Sequence, residues 1–145
     1  MKIMKPVSEL LKKRDTLFWF VRPDDTVFDA LKLLSEHSVG ALVVMEQGKL
    51  VGVISERDYT RKVALQGRSS KDTKVADIMT RDVLVVSPRT RTGECMALMS
   101  QKKIRHLPVV DGDTVIAMLS IRDIMDDIIV EHEFTITQLE SYINQ

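Results

Sequence analysis

Apolar and polar residues alternate with two different periods along this chain, and the same order of patterns occurs twice. Short apolar runs of strand length, at 16–21 and 83–86, are each followed by a proline within two residues. Segments with apolar residues at helical spacing come next, at 24–37 and 91–103. Two further apolar runs joined by a polar turn complete each half, and the second turn contains Asp-Gly, which is typical of hairpins. The pattern predicts the order strand–helix–strand–strand–helix, twice.

The two halves align with each other without a gap. A shift of 65 residues places 21–63 on 86–128, with nine identical positions and a shared apolar spacing. Neither half is large enough to bury a good core alone, so we expect an α+β fold in which two pseudo-symmetric units pack through their sheets. A short helix precedes each half, and an amphipathic helix extends past the second. The predicted divisions are a first unit with its N-terminal helix (1–66), a linker (67–73) and a second unit with the extended C-terminal helix (74–145).

The charge balance and cysteine content of the chain exclude several kinds of site and partner. The chain has 21 basic and 21 acidic residues, whereas proteins that bind nucleic acids or membrane surfaces through charge carry a basic excess. Cys95 is the only cysteine, which excludes a disulfide within the chain and a cysteine-rich metal site. The three histidines lack the spacing of metal ligands, and no apolar run is long enough to cross a bilayer. We predict a cytoplasmic protein without a metal site and without a nucleic-acid or membrane partner.

The last helix of each unit begins at the same motif, Ser-x-Arg-Asp, in 55–58 and 120–123. A serine at the N-cap with an acidic residue three positions later forms a capping box, which explains both residue types without a ligand. Helix capping does not require the arginine of the motif. An arginine beside the free amides of a helix N-terminus suits a phosphate, and an aspartate can accept hydrogen bonds from both hydroxyls of a ribose. The motif therefore predicts a nucleoside-phosphate site, with a plain helix cap as the alternative.

The sequence resembles a tandem pair of cystathionine-beta-synthase-type (CBS) domains, also called a Bateman module, of the stand-alone bacterial and organellar kind. The resemblance covers nearly the whole chain. It rests on "IMT" at 78–80, "IRHLPVVDG" at 104–112, "GVISERD" at 52–58 and "AMLSIRD" at 117–123. The first unit departs from the pattern, because "VGALVVME" at 39–46 stands where "RHLPVVDG" is expected.

The resemblance implies an adenosine-containing ligand in the cleft between the repeats. AMP is the leading candidate, and ADP, ATP, NAD, NADH and S-adenosylmethionine are alternatives. It implies two pseudo-symmetric sites. One would be built from Ser55, Arg57, Asp58, Thr80, Val83, Arg105, His106 and Pro108. The other would be built from Phe18, Gly40, Ala41, Ser120, Arg122 and Asp123. The second set has no basic residue on its strand, so we expect it to be the weaker phosphate site.

The resemblance also implies a regulatory protein that assembles as a flat homodimer and passes its ligand state to an unknown effector protein. The C-terminal helix would contribute to the dimer interface. The chain has no Gly-rich phosphate loop and no room for a separate catalytic domain, so we predict that it is not an enzyme. Two alternatives stay open: a dimerisation scaffold that binds no ligand, and a nucleotide-metabolising enzyme that uses His106 close to Asp58.

Overall fold

A computed structural model of the protein describes residues 5–14 and 18–143, the side chain of residue 142 excepted. The part of the predicted first strand that falls on residues 16–17 lies outside these ranges. The described elements are, in chain order, α1 (Val7–Leu11), β1 (Phe20–Val21), α2 (Val27–His37), β2 (Ala41–Glu46), β3 (Lys49–Ser55), α3 (Glu56–Tyr59), a π-helical segment (Thr60–Ala64), α4 (Val75–Ile78), α5 (Thr92–Lys102), β4 (His106–Asp111), β5 (Thr114–Ser120) and α6 (Ile121–Ile143). The predicted α+β class is confirmed.

Both predicted hairpins are present, and their turns explain their sequences. β2 pairs with β3 and β4 with β5, both antiparallel, and β1 adds to β2 in parallel. Gln47 and Gly48 connect the first hairpin with φ of 52° and 77°. Two positive φ angles match the twist of the flanking strands, and glycine adopts them without a steric penalty. In the second turn Gly112 takes the left-handed conformation, with φ of 63°.

The predicted strand at 83–86 is reduced to one bridge. Val86 pairs in parallel with Val109. Its N–H donates to the carbonyl of Pro108 (3.0 Å), and its own carbonyl accepts from the N–H of Val110 (2.8 Å). Val86 is buried, whereas Val85 is exposed. The run is apolar throughout, but only its last residue reaches the sheet.

The two short helices that precede the units are exchanged in space. Val7 and Leu10 of α1 pack in the core of the second unit, and the N–H of Val7 donates to the carbonyl of Thr90 (2.9 Å). Val75 of α4 packs in the core of the first unit, and its N–H donates to the carbonyl of Asp25 (2.8 Å). Each core therefore contains a short helix that precedes the other unit along the chain.

The segment at 67–73, predicted as a linker, is packed against the first unit. Thr73 is buried, and its hydroxyl donates to the carbonyl of Ser69 (2.7 Å). The carbonyls of Thr73 and Ser70 accept hydrogen bonds from the N–H groups of Val27 (2.8 Å) and Phe28 (3.0 Å). Because the first N–H groups of a helix have no partner within the helix, these carbonyls complete the start of α2.

A third apolar cluster joins the units through their sheets, as predicted. Ala41 and Val43 of β2 pack in it with Val115 and Met118 of β5, and all four side chains are buried. Phe18 lies at its edge. This contact between β2 and β5 forms the floor of the space where the candidate site lies.

Candidate functional site

A cavity of about 1220 Å³ lies between the two units. Its walls come from the C-terminal end of α2, the starts of β2 and β4, and the N-terminus of α6. Eight of the fourteen predicted site residues line it: Phe18, Gly40, Ala41, Arg105, His106, Ser120, Arg122 and Asp123. The cavity therefore brings together all six residues of the predicted Asp123 set and two of the predicted Asp58 set.

Ser120 and Asp123 form a capping box at the N-terminus of α6. The N–H of Asp123 donates to the hydroxyl oxygen of Ser120 (3.1 Å), and the N–H of Ser120 donates to the Asp123 carboxylate (2.8 Å). The guanidinium of Arg14 donates to the carbonyl of Met118 (2.8 Å) and lies 3.5 Å from the Asp123 carboxylate. The Asp123 carboxylate and the N-terminus of α6 therefore lie on the same wall as Arg14, which belongs to the segment after α1.

The basic residues Arg105 and His106 lie on the Asp123 cavity, although the sequence grouped them with Asp58. The reason is strand register, since His106 lies directly opposite Ser120 in the β4–β5 hairpin. The cavity has Arg14 and Arg122 on its wall as well. The argument that ranked the Asp123 set as the weaker phosphate site, its lack of a basic residue, therefore does not hold.

The side chain of His106 has an altered affinity for protons. Burial lowers its pKa below the ordinary value, the nearby positive charge of Arg105 acts in the same direction, and the carboxylate of Asp123 partly opposes them. His106 is therefore neutral at pH 7, with one ring nitrogen able to donate and the other able to accept a hydrogen bond. A Cβ added at Gly40 would lie 3.1 Å from the His106 ring, so the two residues are in close contact across the cavity.

The Asp58 motif is bonded within the protein. The Asp58 carboxylate accepts hydrogen bonds from the N–H (3.0 Å) and hydroxyl (3.1 Å) of Ser55, and Lys62 lies 3.3 Å from its other oxygen. Arg57 donates to the carbonyl of Lys103 in the other unit (3.0 Å). These side chains do not line the large cavity. Here the capping box is complete, and the arginine serves as a contact between units.

The other predicted residues of the Asp58 set do not line the large cavity either. Thr80 is exposed and forms an antiparallel bridge with Val53. Pro108 is buried in β4, and Val83 is half-buried just before the Val86 bridge. A second cavity, of about 810 Å³, contains none of the predicted site residues except Phe18.

Fourteen cavity residues were not predicted as site residues, and three of them, Arg14, Trp19 and His37, make contacts that shape the cavity. The rings of Trp19 and His37 stack with their centroids 3.4 Å apart and an angle of 7° between their planes, and both line the cavity. Trp19 lies in the aromatic run 18–20, which was the available signal. Arg14 had no signal in the sequence, because it reaches the cavity only through the exchange of α1.

The chemistry of this cavity suits an anion that also carries a ring. It joins basic side chains, two aspartates, a glutamate and a helix N-terminus with an aromatic and apolar wall. Within 5–14 and 18–143, no group of three or more His, Cys, Asp or Glu residues is arranged to hold a metal ion. Among the helices described above, none is long and apolar enough to cross a membrane.

Comparisons with known proteins agree with this architecture. A family model for the CBS domain matches residues 7–65 and 75–130. The protein CBSX3 of Arabidopsis thaliana, a mitochondrial CBS-domain protein, is 42% identical over 146 residues, which cover 94% of this chain and 71% of that protein.

Solved structures give the same result. A Burkholderia ambifaria protein with CBS domains that is assigned to signal transduction superimposes with a TM-score of 0.83 at 43% identity, covering 87% of this chain and 95% of that one. A hexameric CBS-CP12 protein from bloom-forming cyanobacteria superimposes with a TM-score of 0.75 at 29% identity, covering 84% of this chain and 71% of that one. The chain is a pair of CBS domains and belongs to the CBS-domain family.

Proposed function

We propose that this protein senses an adenosine nucleotide, with AMP as the leading ligand and ADP, ATP, NAD or NADH as alternatives. The observation that carries the proposal is the composition of the large cavity. Asp123 and Ser120 stand at the N-terminus of α6, and Arg105, His106 and Arg122 line the same space. No other described cavity combines these groups with predicted site residues from both units.

Each part of a nucleotide has a matching wall. The carboxylate of Asp123 accepts hydrogen bonds from the ribose hydroxyls. Arg122 and Arg105, together with the positive end of the α6 dipole, attract the phosphate. The base lies against the apolar side formed by Ala41 and Met118, which line the cavity and pack in the cluster between the sheets. The volume of about 1220 Å³ leaves room for a ligand larger than AMP.

Regulation follows from the position of the cavity between the units. A ligand that contacts both units favours one relative orientation, and an effector protein that distinguishes the orientations responds to it. The proposal contains no catalytic step. It includes self-association as a homodimer and a cytoplasmic location, as predicted from the sequence. The hexameric CBS-CP12 neighbour supports self-association within this fold.

The test is a binding titration with two matched pairs of variants. AMP, ADP, ATP, NAD, NADH and S-adenosylmethionine are each titrated by calorimetry and by thermal shift. Arg122→Gln and Arg57→Gln occupy equivalent positions of the two units, as do Asp123→Asn and Asp58→Asn. Asparagine retains an oxygen that can accept the capping hydrogen bond, so these aspartate variants separate ligand binding from helix capping.

We expect one nucleotide at about 100 times its Kd to raise the melting temperature by on the order of 10 °C. Losing a charge-assisted contact costs about 1.5–3 kcal/mol, so Arg122→Gln weakens binding by roughly 10- to 100-fold. Arg57→Gln leaves Kd unchanged. A panel in which no nucleotide binds would establish the scaffold alternative, which the position of the Asp58 motif outside the cavity favours for that unit. Equal losses in Arg57→Gln and Arg122→Gln would show that the cavity is not the site.

A further inference from the structure

The C-terminal part of α6 lies outside both cores. The helix has 23 residues, which corresponds to about 34 Å. Ile124 is buried, and Ile121 and Ile128 are packed against the second core. From residue 129 to the end of the helix, every side chain that the structure describes is exposed. A helical segment of this length is marginally stable alone in water, so it needs a partner along its side.

Apolar residues of α6 follow a heptad repeat. Six positions succeed each other in steps of four, three, four, three and four residues, which brings them onto one face of the helix. We name this face the α6 stripe: Met125, Ile129, His132, Ile136, Leu139 and Ile143. Five of the six are apolar side chains that are at least half exposed. The spacing continues for the whole length of the projecting segment.

We propose that the α6 stripe pairs with the α6 stripe of a second copy of this chain in a parallel, two-stranded coiled coil, an inference that rests on the self-association proposed above. Isoleucine occupies all three a positions, and leucine, methionine and histidine occupy the d positions. In parallel coiled coils, branched residues at a favour two strands when leucine is at d, as it is at Leu139. A parallel pair brings identical a positions together, so the isoleucines of one copy match those of a second copy, and this match favours self-pairing.

The charges beside the stripe select the direction of pairing. The e positions are all acidic: Asp126, Glu133 and Glu140. In an antiparallel pair the e positions of the two helices face each other, and this arrangement would oppose carboxylates along the whole interface. In a parallel pair each e position faces a g position instead. The g positions are Ile128, Thr135 and Tyr142, which carry no charge.

The same charges disfavour a membrane as the occupant of the stripe. Six of the residues of α6 are acidic, and Arg122 near its start is its one basic residue. Helices that lie on membranes carry basic residues on the polar face, because the lipid surface is anionic. A second copy of the chain has no such conflict.

Disulfide cross-linking tests both the pairing and its direction. In a parallel coil identical d positions meet, so Leu139→Cys forms a disulfide-linked dimer under mild oxidation. The control is Ser141→Cys, at an outward f position on the same turn. The native thiol does not interfere, because Cys95 is buried and burial raises its pKa to about 11. Remaining thiols are alkylated before the protein is unfolded for electrophoresis.

A second pair of variants tests the stripe in the Leu139→Cys background. Ile136→Glu introduces a charge on the stripe, and Phe134→Glu introduces the same charge at an apolar position on the opposite side that is also more than half exposed. We expect Ile136→Glu to lower the yield of linked dimer by roughly tenfold or more, and Phe134→Glu to leave it unchanged. Light scattering is recorded in parallel, because it reports dimers formed through any surface.

Three results would overturn the proposal. The first is equal yields of linked dimer from Leu139→Cys and Ser141→Cys. The second is a yield that Ile136→Glu does not lower. The third is a mixed disulfide between Ile129→Cys and Leu139→Cys chains, which only an antiparallel pair allows. The experiment contains no nucleotide. Failure here therefore leaves the proposed ligand site standing, and a dimer seen by light scattering without linking would assign self-association to another surface.

Discussion

At the scale of single residues, one motif does different things in the two units. In both units serine and aspartate cap the helix that follows. Arg57 donates across the unit boundary to the carbonyl of Lys103, the residue that ends α5 in a left-handed conformation. Arg122, at the equivalent position, lines the cavity. Because the four-residue motif occurs in both units, the sequence predicted two similar sites. In the structure the copy with Arg57 makes a contact between units, and the copy with Arg122 faces the cavity.

His106 gives stability a specific dependence on pH. Its pKa is lowered in the folded protein, so the unfolded chain binds a proton more readily. This contribution is fully present above the unfolded pKa of about 6.5 and is lost as pH falls through that value towards the folded pKa. We expect the unfolding free energy from urea titrations to fall between pH 7.5 and 5, and His106→Gln to reduce that fall.

His132→Gln is the matched control for this prediction when measured at a concentration at which the chain is monomeric, because His132 is exposed in the single chain, whereas pairing of the α6 stripes would bury it. It replaces the same side chain outside the cavity, so the pH dependence of the wild-type chain should persist. The groups that face His106 are Arg105 and Asp123, and both stay in place in either variant. A wild-type slope retained in His106→Gln would contradict the assignment.

At the scale of elements, prediction succeeded where the periodic signal was long and local. The helices α2 and α5 have three turns of apolar spacing and close with a left-handed residue, Ser38 in one case and Lys103 in the other. The two hairpins were marked by their turns. The run at 83–86 has the composition of a strand, but pairing depends on where a neighbour lies, and only Val86 meets one. The segment 67–73 has the polar composition of a linker, but its backbone carbonyls complete the start of α2 and its Thr73 hydroxyl bonds within the segment. Composition alone cannot distinguish such a packed segment from a linker.

Gly52 in β3 illustrates how packing between elements determines a residue. A Cβ at this position would lie 2.7 Å from the sulfur of Met79 and 2.9 Å from the carbonyl oxygen of Thr80. That carbonyl accepts the N–H of Val53 (3.0 Å), so it cannot move without loss of a hydrogen bond. We expect Gly52→Ala to destabilise the fold by about 1–3 kcal/mol in urea unfolding, and Gly52→Asn to destabilise it further.

Gly112 is the contrasting case, since it has open space but a φ of 63°. Asparagine tolerates the left-handed region better than alanine does. The order of the two substitutions should therefore reverse, with Gly112→Asn less destabilising than Gly112→Ala. If alanine and asparagine destabilise the fold in the same order at both glycines, the steric limit at Gly52 or the conformational limit at Gly112 is wrong.

At the scale of the whole molecule, the exchange of α1 and α4 joins the units and builds the site. Because α1 packs in the second core, the segment that follows it carries Arg14 to the carbonyl of Met118 and close to Asp123. Eight of the fourteen residues that the sequence proposed for a site line the cavity, since motif positions are local. How these residues are grouped in space could not be predicted, because the register of β4 on β5 and the path of the chain after α1 are properties of the assembled molecule.

The exchange predicts that truncating a buried side chain of α1 destabilises the second unit, and that truncating one of α4 destabilises the first. Leu10 of α1 and Ile78 of α4 are both buried, Leu10 in the second core and Ile78 in the first. Each substitution to alanine should cost about 2–4 kcal/mol, because large-to-small changes lose burial and leave a cavity. Hydrogen exchange locates the damage. Leu10→Ala should reduce amide protection mainly in β4 and β5, although it lies before the first unit in sequence, and Ile78→Ala mainly in β2 and β3. Loss of amide protection in the unit that is nearest along the chain, or equally in both units, would contradict the exchange. Loss in the other unit for both variants would show that each unit is stabilised by the short helix that precedes its neighbour.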